Sequence, residues 1–162
     1  ENNMPNSRLL REQVLQLLCQ FDAGNVDAAH IIESDFNEEI DKTNEPESKA
    51  KMLAQKVWDD HEIGDEHIKP FTPDWPLHRQ PLIDRNILRL ARFEIVSGMT
   101  PPIVAINEAV ELASIYSTEK SSSFVNGVLD AIFHDKKPCP PVVETTDGEK
   151  SHGSVSCHYC CT

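Results

Sequence analysis

The sequence predicts an all-α fold of about six or seven helices. Three observations carry that prediction. Apolar residues recur every three or four positions over 7–22, 47–62, 82–97, 103–116 and 123–134. No run alternates apolar and polar residues with the β-branched content of a strand. Proline and glycine punctuate the chain between most of the periodic runs, where they end helices. The 162 residues suit one domain, or two small lobes sharing a core.

Residues 7–22, SRLLREQVLQLLCQFD, place Leu10, Val14, Leu17, Leu18 and Phe21 on one helical face. Pro5 with Asn6 or Ser7 supplies a start signal, and Gly24 a stop. Residues 27–46 are acidic, with a weak apolar pattern at Ile31, Ile32, Phe36 and Ile40 that ends at Pro46. Residues 47–62 set Ala50, Leu53, Ala54, Val57 and Trp58 on one side. Gly64 interrupts that helix, and a short helix through His67 and Ile68 is expected to end near Pro70. The connector 70–81, PFTPDWPLHRQP, holds four prolines and Trp75, and reads as an aromatic-plugged boundary between two lobes. Residues 82–97 are helical again; Gly98 and Pro101–Pro102 punctuate, and 103–116 and 123–134 supply two further helices. Three serines, Ser121 to Ser123, suit the N-cap of the last. Phe124, Val128, Leu129 and Ile132 pack, and Gly127 permits close helix approach. Residues 1–6 are expected to form an N-terminal arm around a helical domain at 7–134. Residues 135–162 have three prolines, few large apolar groups and no periodicity, and are expected to stay disordered.

Composition narrows the function. Apolar residues make up 39% and charged residues 26%, as in ordinary soluble proteins. No stretch approaches the roughly 20 apolar residues of a membrane span, and ENNMPNSRLLREQ does not resemble a signal peptide. The expectation is a cytoplasmic protein with no membrane partner. The net charge is −12, concentrated in residues 22–69, which hold 14 acids against 5 bases. A general nucleic-acid binder shows the opposite balance, because counterion release from phosphates drives its affinity. Any RNA contact therefore comes from a local basic patch turned away from the acidic segment. The five cysteines are odd in number, and Cys157, Cys160 and Cys161 crowd the end, which is no disulfide framework. Cys19 reads as a small core or boundary residue.

Several constellations admit a chemical reading beside a plainer one. Arg85, Arg89 and Arg92 fall on one stripe of the 82–97 helix, opposite Ile87, Leu88, Leu90, Ala91 and Ile95. The plain reading is a solvated face; the alternative is a phosphate contact. Glu94 projects into the apolar side. It needs a partner, either an arginine or the backbone N–H groups where the next helix opens at Pro101–Pro102, and a structural role is favoured over a catalytic one. Glu108 and Glu111 sit three apart on the 103–116 helix, away from its buried face of Ile106, Ala109, Val110 and Ala113, with no pocket that would make a catalytic pair. His61 and His67 lack the spacing of helical metal ligands and read as surface residues. The terminal CHYCC offers one Cys-x-x-Cys pair; reactive thiols on a tail are favoured over a zinc site. Neither a GxxxxGK nor a GxGxxG loop is present. No cofactor, metal or catalytic residue is expected.

Three segments in order, LIDRNILRLARFEI, PPIVAINEAVELA and FVNGVLDAI, resemble the NusB family of bacterial transcription antitermination factors. Arg11–Glu12 and Trp75 fit the same pattern, and the resemblance covers about residues 7–134. It implies two packed three-helix-type lobes and no catalysis. It implies binding of boxA-type single-stranded RNA, usually together with NusE, the small-subunit ribosomal protein, so that the RNA polymerase elongation complex reads through terminators, notably on ribosomal RNA operons. The carried-over RNA contacts are Arg8 and Arg11 at the N-terminal helix, Asp84, Arg85 and Arg89 in the DRNILR segment, and Lys120 and Phe124 around the turn before FVNGVL. That turn commonly reads E-D-S-H-K-F in the family and here reads Glu119-Lys120-Ser121-Ser122-Ser123-Phe124, gaining one cation and losing a His and a Lys. Phe124 either stacks on a base or packs in the core. The thin arginine patch and acidic balance leave a second possibility: a NusB-fold protein-interaction module with little RNA affinity, binding NusE or forming a homodimer that covers the N-terminal helix.

Overall fold

The computed structural model describes residues 7–24 and 45–135. Among them are six α-helices and no strand: α1 (Ser7–Asp22), α2 (Glu45–Asp59), α3 (His61–Ile68), α4 (Leu82–Val96), α5 (Pro102–Tyr116) and α6 (Glu119–His134). Two 3-10 turns, Lys69–Phe71 and Leu77–Arg79, lie in the connector between α3 and α4. The arm at 1–6, the weak apolar pattern at 27–44, and the tail from 136 with its Cys-x-x-Cys pair lie outside the described residues.

The apolar periodicity builds two adjoining cores. One gathers Val14, Leu18 and Phe21 of α1 with Ala50, Leu53, Ala54 and Val57 of α2, closed by Leu90 and Phe93 of α4. The other gathers Leu15, Ile68, and Ile87, Leu88, Ala91 and Ile95 of α4 with the inner faces of α5 and α6. Helix α4 thus serves both cores and packs against all five other described α-helices. Eleven of its fifteen residues are buried, including Asp84, Asn86, Arg89, Arg92 and Glu94. A helix covered all round cannot solvate one face. The arginine stripe expected to face water is therefore largely internal, and each buried charge needs an internal partner.

Four local expectations are corrected. The break between α2 and α3 falls at Asp60, not at Gly64, which sits inside α3. Asp60 holds the N-cap position of α3 without a side-chain cap bond, because its carboxylate is turned to Arg92. The serines do not cap α6: the helix starts earlier, with Thr118 as N-cap accepting from the Ser121 amide at 3.2 Å. Gly127 makes no close helix contact, since a methyl group there would meet nothing within 4 Å. His61 and His67 are both half-buried. His61 stacks on Trp58 with ring centroids 4.1 Å apart, and His67 Nδ1 accepts from Arg92 Nε at 3.1 Å.

Other signals act as expected. Gly24 closes α1 and Gly98 closes α4 with φ of +82° and +68°, a left-handed conformation that only glycine adopts cheaply. Pro102 opens α5, where its missing N–H costs nothing. Trp75 plugs the connector by packing on Phe124, centroids 4.8 Å apart, and Gln80 Nε2 donates to the Trp75 carbonyl at 2.7 Å.

Candidate functional site

The side chains carried over as RNA contacts fall into two groups, near opposite ends of α1. The first group stands where the N-terminal turns of α1 meet the end of α4 and the face of α5. Arg11 is only 5% exposed. Its Nε donates to both Glu94 oxygens at 3.0 and 3.2 Å, and a terminal nitrogen donates to the Thr100 hydroxyl at 3.3 Å. Glu94 thus has an arginine as its partner, and the structural reading of that carboxylate holds. Burial raises the Glu94 pKa above the ordinary range, an effect Arg11 offsets only in part. The other terminal nitrogen of Arg11 lies 3.8 Å from Glu108 Oε2. Arg8, one turn earlier, reaches Glu108 at 3.5 Å and Glu111 at 3.6 Å. The carboxylates of the α5 segment are therefore ion-pair partners of α1.

The second group stands where the C-terminal end of α1 meets the first turns of α4 and α6. Asp22 accepts from Arg85 at 2.5 and 2.9 Å, from Arg89 at 2.9 Å and from Asn86 at 2.9 Å. Burial alone would raise its pKa; Arg85, Arg89 and Asn86 outweigh that and hold it below the usual carboxylate range. Arg89 is clamped on its other side by Asp65 at 2.6 and 2.8 Å and lies over the Trp58 ring at 5.7 Å. Asp84 is wholly buried and accepts from the Ser121 hydroxyl at 2.7 Å, which ties the start of α6 to the start of α4. Lys120 is exposed beside that tie, and Phe124, one turn on, is half-buried against Trp75. The rise of 1.5 Å per residue puts Arg8 and Asp22 about 21 Å apart along α1.

Arg11, Arg89 and Asp84, expected as RNA contacts, are thus internal struts in this structure. Asp84, which accepts from Ser121, positions α6. Arg8, Lys120 and, in part, Arg85 reach the surface. Sequence reasoning missed the partners. Asp22, Asp60 and Asp65 were counted within an acidic segment, yet they neutralise the stripe on α4. The available signal was a balance of charges: a helix with three arginines on one stripe and an acidic segment before it. Among the described residues, no group of three or more His, Cys, Asp or Glu side chains is placed to hold a metal ion. Val104 and Ile115 of α5 share a stripe with Glu108 and Glu111 and stand 45% and 53% exposed.

Comparison with known proteins bears on this arrangement. The NusB family model matches residues 8–134. The transcription antitermination protein NusB of Thermoanaerobacter sp. (strain X514) is 36% identical over 126 residues, covering 78% of this chain and 89% of its own. That of Dehalococcoides mccartyi (strain ATCC BAA-2266 / KCTC 15142 / 195) is 39% identical over 129 residues, covering 77% and 87%. Among solved structures, T. maritima NusB superposes with a TM-score of 0.67 at 33% identity, over 85% of this chain and 94% of that one. A structure of antitermination factors NusB and NusE in complex with double-stranded RNA matches with a TM-score of 0.65 at 25% identity, over 80% and 96%.

Proposed function

Because the chain belongs to the NusB family, we propose that it is a transcription antitermination factor. It binds boxA-type single-stranded RNA together with NusE and helps the RNA polymerase elongation complex read through terminators, notably on ribosomal RNA operons. The family match, which runs from the first turn of α1 to the end of α6, carries this reading. The like-folded assembly of NusB, NusE and RNA supports both partners. The protein works by binding and not by catalysis, as the family match supports. Its place of action is the cytoplasm, with the elongation complex; no described helix is long and apolar enough to cross a membrane.

On this reading Arg8 at one end of α1, and Lys120 with Arg85 at the other, hold the RNA backbone, and a strand touching both groups spans about 21 Å. Phe124 supports the Lys120 turn through Trp75, and a base stacks on it only by displacing that ring. Arg11, Arg89 and Asp84 position these groups. So few accessible cations give on the order of two to four phosphate contacts, a salt slope between about −1.4 and −2.8 for single strands. NusE then supplies much of the interface. The exposed Val104 and Ile115 leave apolar surface for a protein partner.

Fluorescence anisotropy with a boxA RNA and a scrambled control, with and without NusE, at two salt concentrations tests the proposal. The expected result is a boxA preference that sharpens when NusE is added. The burial of Arg11 and Arg89 favours one second reading, a protein-interaction module with little RNA affinity. NusE binding with no boxA preference in either condition selects it and rejects the first.

A further inference from the structure

The ion pairs of the first group form a chain: Glu94, Arg11, Glu108, Arg8, Glu111. Three carboxylates face two guanidinium groups, so the patch carries a surplus of negative charge although it holds the two arginines of the N-terminal helix. The links differ in strength. Arg11 and Glu94 are both buried and bonded at 3.0 Å, which fixes Arg11, whereas Glu108 stands farther off, 3.8 Å from Arg11. Arg8 and Glu111 are 46% and 56% exposed, and the Arg8 pairs are 3.5 and 3.6 Å long. Strong charge-assisted bonds are about 2.7–2.9 Å, and exposed pairs of this length contribute little and yield to salt.

We infer that Glu108 and Glu111 act as a built-in competitor for the RNA backbone at Arg8: the guanidinium rests on α5 until a phosphate displaces the carboxylates. This rests on the RNA-binding reading above and deepens it by naming what sets affinity at that end of the site. The carboxylates penalise any anion that offers a single weak contact. A strand held at the same time near Lys120 gains enough local concentration to win Arg8 over. The device thus lowers affinity for arbitrary RNA more than for a strand long enough to engage both ends of α1.

The test uses the full chain. Glu111 is well exposed, so Glu111→Gln keeps the fold. With boxA RNA at low salt, Glu111→Gln is expected to tighten binding about 3- to 10-fold and to steepen the salt slope by about 0.7, the value of one further phosphate contact on a single strand. Glu66→Gln, which removes the same charge from a surface pair with Lys69, is expected to leave both unchanged. Adding Arg8→Ala to Glu111→Gln is expected to abolish the gain. If the parent protein binds boxA RNA and Glu111→Gln matches it in affinity and slope, the competitor is refuted and the RNA reading stands. The competitor is equally refuted if Glu66→Gln or the Arg8→Ala background shows the same gain. If parent and Glu111→Gln both bind NusE and neither binds RNA, the RNA reading fails and the inference fails with it.

Discussion

Replacing Arg92 by methionine removes the one fully buried guanidinium that joins α4 to the α2–α3 corner. Arg92 is 0% exposed, and its partner Asp60 is 3% exposed. Asp60 Oδ2 accepts from Arg92, while Oδ1 has no hydrogen-bond partner among the described residues. Methionine fills similar volume and strands the carboxylate. Breaking a buried pair on one side costs about 3–5 kcal/mol. The chain has one escape, which is to protonate Asp60. Burial already raises the Asp60 pKa, an effect that Arg92 offsets only in part, so the loss of Arg92 makes that escape easier. Arg92→Met is therefore expected to lose about 3 kcal/mol at pH 7, or about 10 °C in Tm for a chain of this size. Because the escape becomes cheaper in acid, the loss shrinks at pH 5. Adding Asp60→Asn to Arg92→Met removes the stranded charge and restores much of the loss at pH 7. Urea denaturation followed by circular dichroism at both pH values measures all three. A loss under about 1 kcal/mol at pH 7, or equal losses at pH 5 and pH 7, would refute the claim that Asp60 depends on Arg92.

Other expectations follow from the same structure. Burial and the nearby Arg92 depress the His67 pKa, so the folded state disfavours its proton. Stability from this residue is full above the ordinary histidine value and is lost as the pH falls through the depressed one; His67→Gln is expected to flatten the stability profile below about pH 6.5. Asp22→Asn weakens the bonds from Arg85, Arg89 and Asn86 and is expected to cost about 2 kcal/mol in chemical denaturation. It also removes a carboxyl held below its usual range, and with it part of the stability lost on acidification. Gly127→Ala fills open space in the middle of α6 and is expected to raise stability by about 0.5–1 kcal/mol; a lower Tm would mean that the position is tighter than its surroundings indicate.

The helices were legible because their signals are local. The spacing of Leu10, Val14, Leu17, Leu18 and Phe21 specifies α1, and Gly24 and Gly98 end α1 and α4 by their own backbone freedom. Gly64 misled because a glycine costs a helix only about 1 kcal/mol, which packing of α3 on α4 outweighs. The true break at Asp60 carries no sequence mark beyond a residue whose side chain is needed elsewhere. The arginines of α4 misled for a different reason. Read alone, a helix with an apolar side opposite Arg85, Arg89 and Arg92 is amphipathic. Only the fold brings Asp22, Asp60 and Asp65 onto that stripe, from positions 63, 32 and 24 residues away from their partners. The candidate site divides in the same way. Arg8 and Lys120 stand exposed in the first turns of α1 and α6, whereas the burial of Arg11 depends on Glu94, 83 residues later.

Terminator read-through tests the central claim most directly. Transcription by RNA polymerase in vitro is run over a terminator preceded by boxA or by a scrambled sequence, with the other elongation factors and NusE present, and this protein added or withheld. The account predicts more full-length transcript when the protein is added to the boxA template, with no gain on the scrambled one. Equal read-through with and without the protein on the boxA template, while the protein still binds NusE, would contradict it.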